Sequence, residues 1–387
     1  MIVEDTPGST ATGLAQEWAA AGRGGTITTN AATMNTMRRM LVTVTIVLLW
    51  VVGTASPATA HSVSGVGATN YQTRLKSVTP VIAGVDVRVI EAGSRLELTN
   101  TTDEDIIVVG YQEEPYLRVG PDGVFENRRS PAVYLNASRQ GDSTIPGNAD
   151  PEADPDWRKI SDGHVARWHD HRIHWMGNQD PPAVRRDPGS SHVVIPDWTI
   201  AMRMGDRTIR ATGDLIWVPG PSPLPWLGLA AAFVIGIALV ARTSVWARTL
   251  AAVLAVLVVV DIVHNVGIAW ANAGGIGTKL GQLAGGSSYS LIAWAAASIG
   301  VVMLARRQPE GLLAAGFAGA FIALFGGIVD FADLTRSQVP FAWSATLARV
   351  LVAVSLGAGI GLVIAAMVGV ARYPMDRLRP RPLNEAG

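Results

Sequence analysis

The sequence predicts an all-β, Ig-like sandwich outside the membrane, followed by an all-α domain of five transmembrane helices. Charged residues make up only 16% of the 387 residues, below the roughly 25% that is usual in soluble domains. The shortage is uneven: residues 61–222 are polar with short alternating runs, whereas residues 223–372 are mostly Ala, Val, Leu, Ile and Gly. A segment typical of a signal peptide precedes both regions. These observations predict an exported β domain anchored by apolar helices.

Composition also limits the function. The formal net charge is zero and the chain has no cysteine. The charge balance therefore gives no indication of a nucleic-acid partner. Without cysteine, neither disulfides nor a thiolate metal site can form. Any metal ion would have to be bound by His, Asp, Glu, Met or backbone groups.

Residues 37–60 have the three parts of a signal peptide. A basic start at 37–40 precedes an apolar run at 41–52, which is short for a bilayer span. Ala58-Thr59-Ala60 then matches the small-residue pattern of a cleavage site. Cleavage there predicts His61 as the first mature residue, with an α-amine and an imidazole that can chelate one metal ion.

Residues 1–36 precede this signal and have no helical or strand period. We expect translation to start at Met34 or Met37, and the alternative is a disordered cytoplasmic extension. Either way, the folded protein is predicted to begin after residue 60.

Residues 61–218 are predicted to form the β-sandwich. Residues 120–123 read Gly-Pro-Asp-Gly, a strong turn signal, and residues 136–157 have the composition of a long loop. Antiparallel strands with turns at this spacing favour a sandwich. The predicted strands cover residues 85–90, 94–99, 105–109, 116–119, 124–126, 192–195, 198–204 and 208–218.

A histidine cluster follows the long loop. The run from Trp168 to Trp175 contains His169, Asp170, His171 and His174, although the whole chain has only seven histidines. Imidazole is a common metal ligand, so the cluster predicts a metal site, with Asp170 as a possible oxygen ligand. In an extended strand, His169 and His171 would share a face, and a turn near Arg172 would be needed to add His174. The alternative is that these rings cap turns or bond backbone carbonyls.

A second pattern, formed by His61 and Asp162-Gly163-His164, resembles the CopC family of periplasmic copper-binding β-sandwiches. In that family the mature chain begins with His, and a later D-G-H motif supplies Asp and His to copper(II). The resemblance implies that His61, Asp162 and His164 bind copper, and it leaves His169 and His171 as an alternative set. The layout of an exported domain plus helices also resembles certain actinobacterial membrane proteins. Without thiolates, the affinity order favours copper(II), and zinc is the competitor.

The second half predicts the membrane domain, residues 226–371, after a Pro-rich linker at 219–225. The five predicted spans cover residues 226–241, 249–270, 289–305, 311–331 and 346–371. Lys and Arg favour the turns after the first and third spans and the basic tail at 372–387, so we expect that tail in the cytoplasm and the β domain outside. Gly- and Ala-rich runs at 316–320 and 357–361 suit close helix contacts.

Polar residues inside membrane spans cost free energy, so their presence indicates a functional or structural role. Asp261 and His264 are three residues apart on one helix, hence on one face. They are accompanied by Asp330, Asp333 and Arg349, all toward the exported domain. One hypothesis is a metal or proton relay, and the alternative is an Asp261–Arg349 ion pair that holds the helices together.

The sequence thus predicts a plasma-membrane protein whose exported domain binds copper, in copper handling or transfer. The resemblance also offers the CopD membrane partner of that family as an analogy for the helices, although this chain has fewer spans. One alternative is a non-catalytic envelope protein that binds protein partners and no metal. A second is an extracytoplasmic copper or zinc enzyme, but no nucleophile elbow, P-loop or H-E-x-x-H motif is present.

Overall fold

The structure, a computed structural model, describes residues 66–137 and 144–372, with side chains up to residue 369. The predicted signal peptide, the segment before it, His61 and the tail after Arg372 lie outside the described residues.

The N-terminal part contains two antiparallel sheets, as the alternating pattern predicted. In the described residues, the larger sheet has seven strands in the order β1-β10-β9-β4-β5-β6-β7, and the smaller has the order β2-β3-β8. The strands are β1 (Tyr71–Thr79), β2 (Val85–Ile90), β3 (Arg95–Asn100), β4 (Ile106–Val109), β5 (Pro115–Gly120), β6 (Gly123–Asn127), β7 (Trp157–Ser161), β8 (Val165–Trp168), β9 (His192–Met204) and β10 (Arg207–Trp217).

The two sheets share one hydrophobic core because each strand presents alternate apolar residues to it. Leu96 and Leu98 of β3 are buried with Ile200 and Met202 of β9. The runs predicted at 192–195 and 198–204 form the single strand β9, with register shifts opposite Gly213 and Leu215 of β10. The sequence pattern missed β1 and β7, whose residues are mostly polar or exposed, and it assigned no strand to the four residues of β8.

The chain does not stay extended across residues 166–175. β8 ends at Trp168, and a 3-10 turn follows at His171–Ile173. The shared face of His169 and His171, which required an extended strand, is therefore wrong, whereas the turn near Arg172 that His174 needed in order to join them is present.

The C-terminal part is helical. The helices of the whole described chain are α1 (Pro131–Leu135), α2 (Pro182–Arg186), α3 (Leu224–Val240), α4 (Trp246–Ala271), α5 (Ile276–Gly286), α6 (Ser288–Ala305), α7 (Gly311–Ala323) and α8 (Ala345–Arg372). A π-helical turn, Leu324–Ile328, extends α7. Among the described residues, four segments are long and apolar enough to cross a membrane: Trp246–Ala271, Ser288–Ala305, Gly311–Ile328 and Ala345–Gly369. The first predicted span, α3, has only 17 residues, so a fifth crossing stays a prediction. α5 was not predicted.

Helix α8 is the centre of the bundle, packing against α3, α4 and α7. Small residues permit this contact, as their pattern indicated: a Cβ on Gly359 would clash with Gly319 O of α7, and one on Gly357 would clash with Ala230 O of α3. Because these glycines have no side chain, the backbones of the neighbouring helices come into direct contact.

The β domain rests on the end of the bundle where α4 ends and α8 begins. Thr69 and Gln338 exchange two backbone hydrogen bonds, N–O 2.9 and 2.8 Å. Ser337 N donates to Asn70 Oδ1 at 2.9 Å, and Ala273 N donates to Glu91 Oε1 at 3.2 Å. This set of contacts, called the junction below, defines the β-domain side of the bundle.

The shared core predicts a large effect of one truncation. Leu98→Ala should lower the free energy of unfolding of the β domain by about 2–5 kcal/mol, because Leu98 is fully buried between the sheets. Denaturant titration of the full-length protein, followed by tryptophan fluorescence, would measure it. Val81→Ala is the matched control, since Val81 is 90% exposed and its truncation should cost less than about 0.5 kcal/mol. Equal effects of the two substitutions would contradict this core.

Candidate functional site

Two histidines of the cluster, His169 and His174, meet at one backbone atom. His169 Nδ1–H donates to Ser94 O at 2.8 Å, and His174 Nε2–H donates to the same oxygen at 3.0 Å. Their ring centroids are 6.5 Å apart. These two residues are called the histidine pair below.

Local structure explains why these two meet. β8 pairs with β3, with Leu96 opposite Trp168, so the residues flanking the two strands on that side, Ser94 and His169, come together. Asp170 then caps the 3-10 turn by accepting from Arg172 N at 3.1 Å. The turn brings the chain back so that His174 also reaches Ser94.

The same turn separates His171 from the pair. His171 N donates to Tyr111 Oη at 2.9 Å, and the two rings lie 6.3 Å apart. Burial, and next the charge of Asp170, raise the pKa of Tyr111, so this phenol stays neutral. The run of histidines therefore does not converge on one point as a triad.

Asp170 has a structural role in this loop. It is fully buried and accepts from Trp168 Nε1 at 3.0 Å. Arg172 donates to its two oxygens from Nε at 2.8 Å and from Nη2 at 2.7 Å. A bidentate pair of this kind is strong and geometrically specific. Both carboxylate oxygens are thus engaged, which argues against Asp170 as a metal ligand.

The D-G-H motif lies at the opposite end of β8. Asp162 is exposed and pairs with Lys159 Nζ at 2.6 Å, and this hydrogen bond lowers the pKa of Asp162. His164 Nδ1–H donates to Gly120 O at 3.2 Å. Five residues of extended chain, about 16 Å, separate His164 from His169. One ion cannot bind both sets.

The described residues contain no group of three or more His, Asp or Glu arranged to hold a metal ion. The histidine pair would supply two imidazoles, which suit copper(II) or zinc, and the remaining ligands would have to come from elsewhere. Arg95 Nε donates to His169 Nε2 at 3.3 Å, so an ion at that nitrogen would displace the guanidinium. The donor set fits a metal only as part of a larger set.

Polar contacts connect the histidine pair to the helices. Arg95 Nε also lies 3.6 Å from Glu91 Oε2, and the other oxygen of this buried carboxylate accepts from Ala273 N just beyond α4. The Glu91 carboxylate therefore connects Arg95 directly to the junction, so that a movement of Arg95 would change a contact of that carboxylate.

A second group of polar residues lies inside the bundle. Asp261 and His264 of α4 are both buried, as their shared face predicted. Trp294 Nε1 donates to Asp261 Oδ2 at 2.8 Å, and Asn265 Nδ2 donates to the same oxygen at 3.3 Å. His264 Nδ1 is 3.8 Å from Asp330 Oδ2.

The alternative of an Asp261–Arg349 ion pair is wrong. Arg349 donates to two backbone carbonyls instead, from Nε to Asp333 O at 3.0 Å and from Nη2 to Arg336 O at 2.8 Å. It holds the turn between α7 and α8. Sequence reasoning missed the uncharged partners Asn265, Ser290 and Trp294, because such residues have no signal of their own in an apolar helix.

Comparison with protein-family models, with curated proteins and with solved structures gave no match. Function must therefore be inferred from the chemistry of the residues.

The Asp170–Arg172 pair generates a stability prediction. Arg172→Leu should lower the free energy of unfolding by about 3–5 kcal/mol, because it leaves a buried carboxylate without its cation. The double variant Asp170→Leu/Arg172→Leu should recover much of that loss. Denaturant titrations of the full-length variants measure both, and Arg185→Leu on an exposed surface is the matched control. Equal losses in the single and the double variant would contradict this role.

Proposed function

We propose that this chain is a plasma-membrane protein whose extracytoplasmic β domain binds copper(II) through the histidine pair and His61. The observation that carries the proposal is the convergence of His169 and His174 on Ser94 O at the end of the β domain nearest the bundle. An N-terminal amine and imidazole would complete a nitrogen-rich, tetragonal set, which copper(II) prefers. Zinc is the competing ion.

The path of the chain supports His61 as the missing ligand. Thr73 Oγ1 donates to Gly93 O and to Ile173 O, each at 3.2 Å, so β1 begins beside both segments that hold the pair. Thr69, at the junction, is four residues earlier. The eight residues from Thr69 back to His61 can span up to about 28 Å, and this is ample for the histidine pair.

The D-G-H set suggested by the CopC resemblance is less accessible to His61. β1 runs away from the bundle for nine residues, about 30 Å, before it reaches the end of the sheet where β10 begins. Asp162 and His164 lie toward that end, beside the turn between β5 and β6. We therefore favour the histidine pair, and the experiment below compares the two sets. The Ig-like relationship also stays a prediction.

The copper proposal is tested on the processed full-length protein by competition titration with copper(II). His169→Ala and His174→Ala should each weaken binding by more than about tenfold, since even a change in a ligand's supporting partner costs about 10- to 100-fold. One extra residue before His61 should weaken it comparably. His192→Ala is the matched control, because His192 bonds Asp187 O rather than Ser94 O and should leave affinity unchanged. Loss of binding only in Asp162→Ala and His164→Ala would favour the D-G-H site instead.

A second function, a non-catalytic envelope protein with unknown protein partners and no metal, is favoured by one observation. Both rings of the pair already bond protein atoms in the described chain, as structural histidines do. Elemental analysis of the purified protein separates the two functions: a stoichiometric metal supports the first, and none after copper loading supports the second.

The distribution of cations supports the proposed orientation. At the end of the bundle away from the β domain, the turns between helices carry Arg242, Arg306 and Arg307, whereas the connections on the β-domain side carry Lys279 and Arg336. The positive-inside rule then puts the β domain outside and the C-terminus in the cytoplasm. Five crossings, including α3, are required for these two ends to lie on opposite sides.

Because the chain has no cysteine, single-cysteine variants can test the orientation directly. Asp122→Cys, in the exposed turn between β5 and β6, should react with a membrane-impermeant maleimide on intact cells. Gln308→Cys, in the turn between α6 and α7, should react only after permeabilisation. The reverse pattern would contradict the orientation, and labelling of both sites in intact cells would contradict the five crossings.

A further inference from the structure

We infer that Asp261 and His264 form a proton-binding site inside the helical bundle, reached from the β-domain side through Asp330. This inference is independent of copper and would stand if the β domain bound no metal. It begins from three buried polar atoms that have no hydrogen-bond partner in the described part of the chain: Asp261 Oδ1, His264 Nε2 and Ser355 Oγ.

Such atoms are rare in folded proteins, because an unpaired buried polar group costs free energy. Asp261 and Ser355 are 0% exposed and His264 is 1% exposed. One carboxylate oxygen, one imidazole nitrogen and one hydroxyl oxygen without partners among the described residues of one bundle indicate a ligand.

A glycine lies in close contact with Asp261. A Cβ on Gly326 would lie 2.8 Å from Asp261 Oδ1 and 3.5 Å from Ser355 Oγ. Gly326 belongs to the π-helical turn Leu324–Ile328, a distortion found frequently at functional sites. The turn thus brings backbone, without a side chain, against the unpartnered oxygens of α4 and α8.

The donors around Asp261 favour a proton as the ligand. Its other oxygen, Oδ2, accepts hydrogen bonds from the neutral groups Trp294 Nε1 and Asn265 Nδ2. An ionised carboxylate is costly at this depth without a cation beside it, and one proton removes the charge. A metal cation would instead need several oxygen ligands, whereas this cluster offers one free carboxylate oxygen, one hydroxyl and an imidazole.

A series of protonatable groups leads from Asp261 to the β-domain side. His264 is one helical turn farther along α4, and its Nδ1 lies 3.8 Å from Asp330 Oδ2. That distance is too long for a direct hydrogen bond and can be bridged by one water. The side chain of Asp330 is 26% exposed, so it can exchange protons with solvent. Asp333 and Arg349 are the other charged groups next to Asp330, and Arg349 is held by two backbone carbonyls.

The opposite direction is closed by apolar side chains. Toward the far end of α4, the buried residues are Leu250, Leu254 and Leu257, and α8 contributes Ala358 and Leu362 to the same cluster. The described interior on that side therefore offers no proton acceptor between Asp261 and the far surface. Protons should enter and leave from the β-domain side only, so the site binds protons without conducting them across the bundle.

Infrared spectroscopy of the full-length protein in lipid bilayers tests this inference. A protonated-carboxyl band should titrate with pH and should be absent in Asp261→Asn. In His264→Gln its midpoint should shift by more than about one pH unit, because a coupled group is removed. Asp261→Glu keeps a carboxyl group and should keep a displaced band, so loss of folding is distinguishable from loss of the proton. Asp206→Asn, at the exposed turn between β9 and β10, is the matched control and should leave the band unchanged.

Sidedness is tested with the same protein in sealed, oriented vesicles. A pH jump on the β-domain side should change the Asp261 band, and a jump on the opposite side should not. A band that answers to the opposite side would overturn the closed path. A carboxyl group ionised at every pH, with a spectrum that changes with sodium, would show a cation site and overturn the proton assignment.

Discussion

The backbone pairing of Thr69 with Gln338 holds the β domain against the helices, and the positions of both candidate sites depend on it. The strand entering the sandwich and the segment entering α8 exchange two hydrogen bonds there. Backbone pairing fixes position closely because the donors and acceptors lie in the rigid main chain. Glu91 adds a third contact at the end of α4. The histidine pair is thereby held above the helix that contains Asp261 and His264.

This arrangement gives the two halves of the protein a physical means of communication. Arg95 contacts both His169 and Glu91, and Glu91 accepts a hydrogen bond from Ala273 N, just after the end of α4. Any ligand that moves Arg95 alters the charge next to Glu91. In the other direction, a change of protonation at Asp261 alters the bonds that connect α4 to α6.

The histidine cluster shows how tertiary structure divides residues that are adjacent in sequence. Of its four candidate ligands, two share Ser94 O, one packs beside Tyr111, and Asp170 is committed to Arg172. The 3-10 turn makes this division. Residue type predicted that imidazoles would gather on this loop, but which of them face each other depends on a turn of three residues that has no period to detect.

The sequence by itself determined the two-part architecture, most of the strands, the apolar helices and the shared face of Asp261 and His264. Strands with one buried face alternate with a period of two, membrane spans need long apolar runs, and the 3.6-residue turn puts residues three apart on one helix face. Only the tertiary structure decided the partners. It showed that Arg349 binds carbonyls rather than Asp261, that the Gly326 backbone packs closely against Asp261 Oδ1, and that His174 joins His169. These pairings join residues far apart in sequence or across a turn, and they follow from packing geometry, which local sequence periods do not encode.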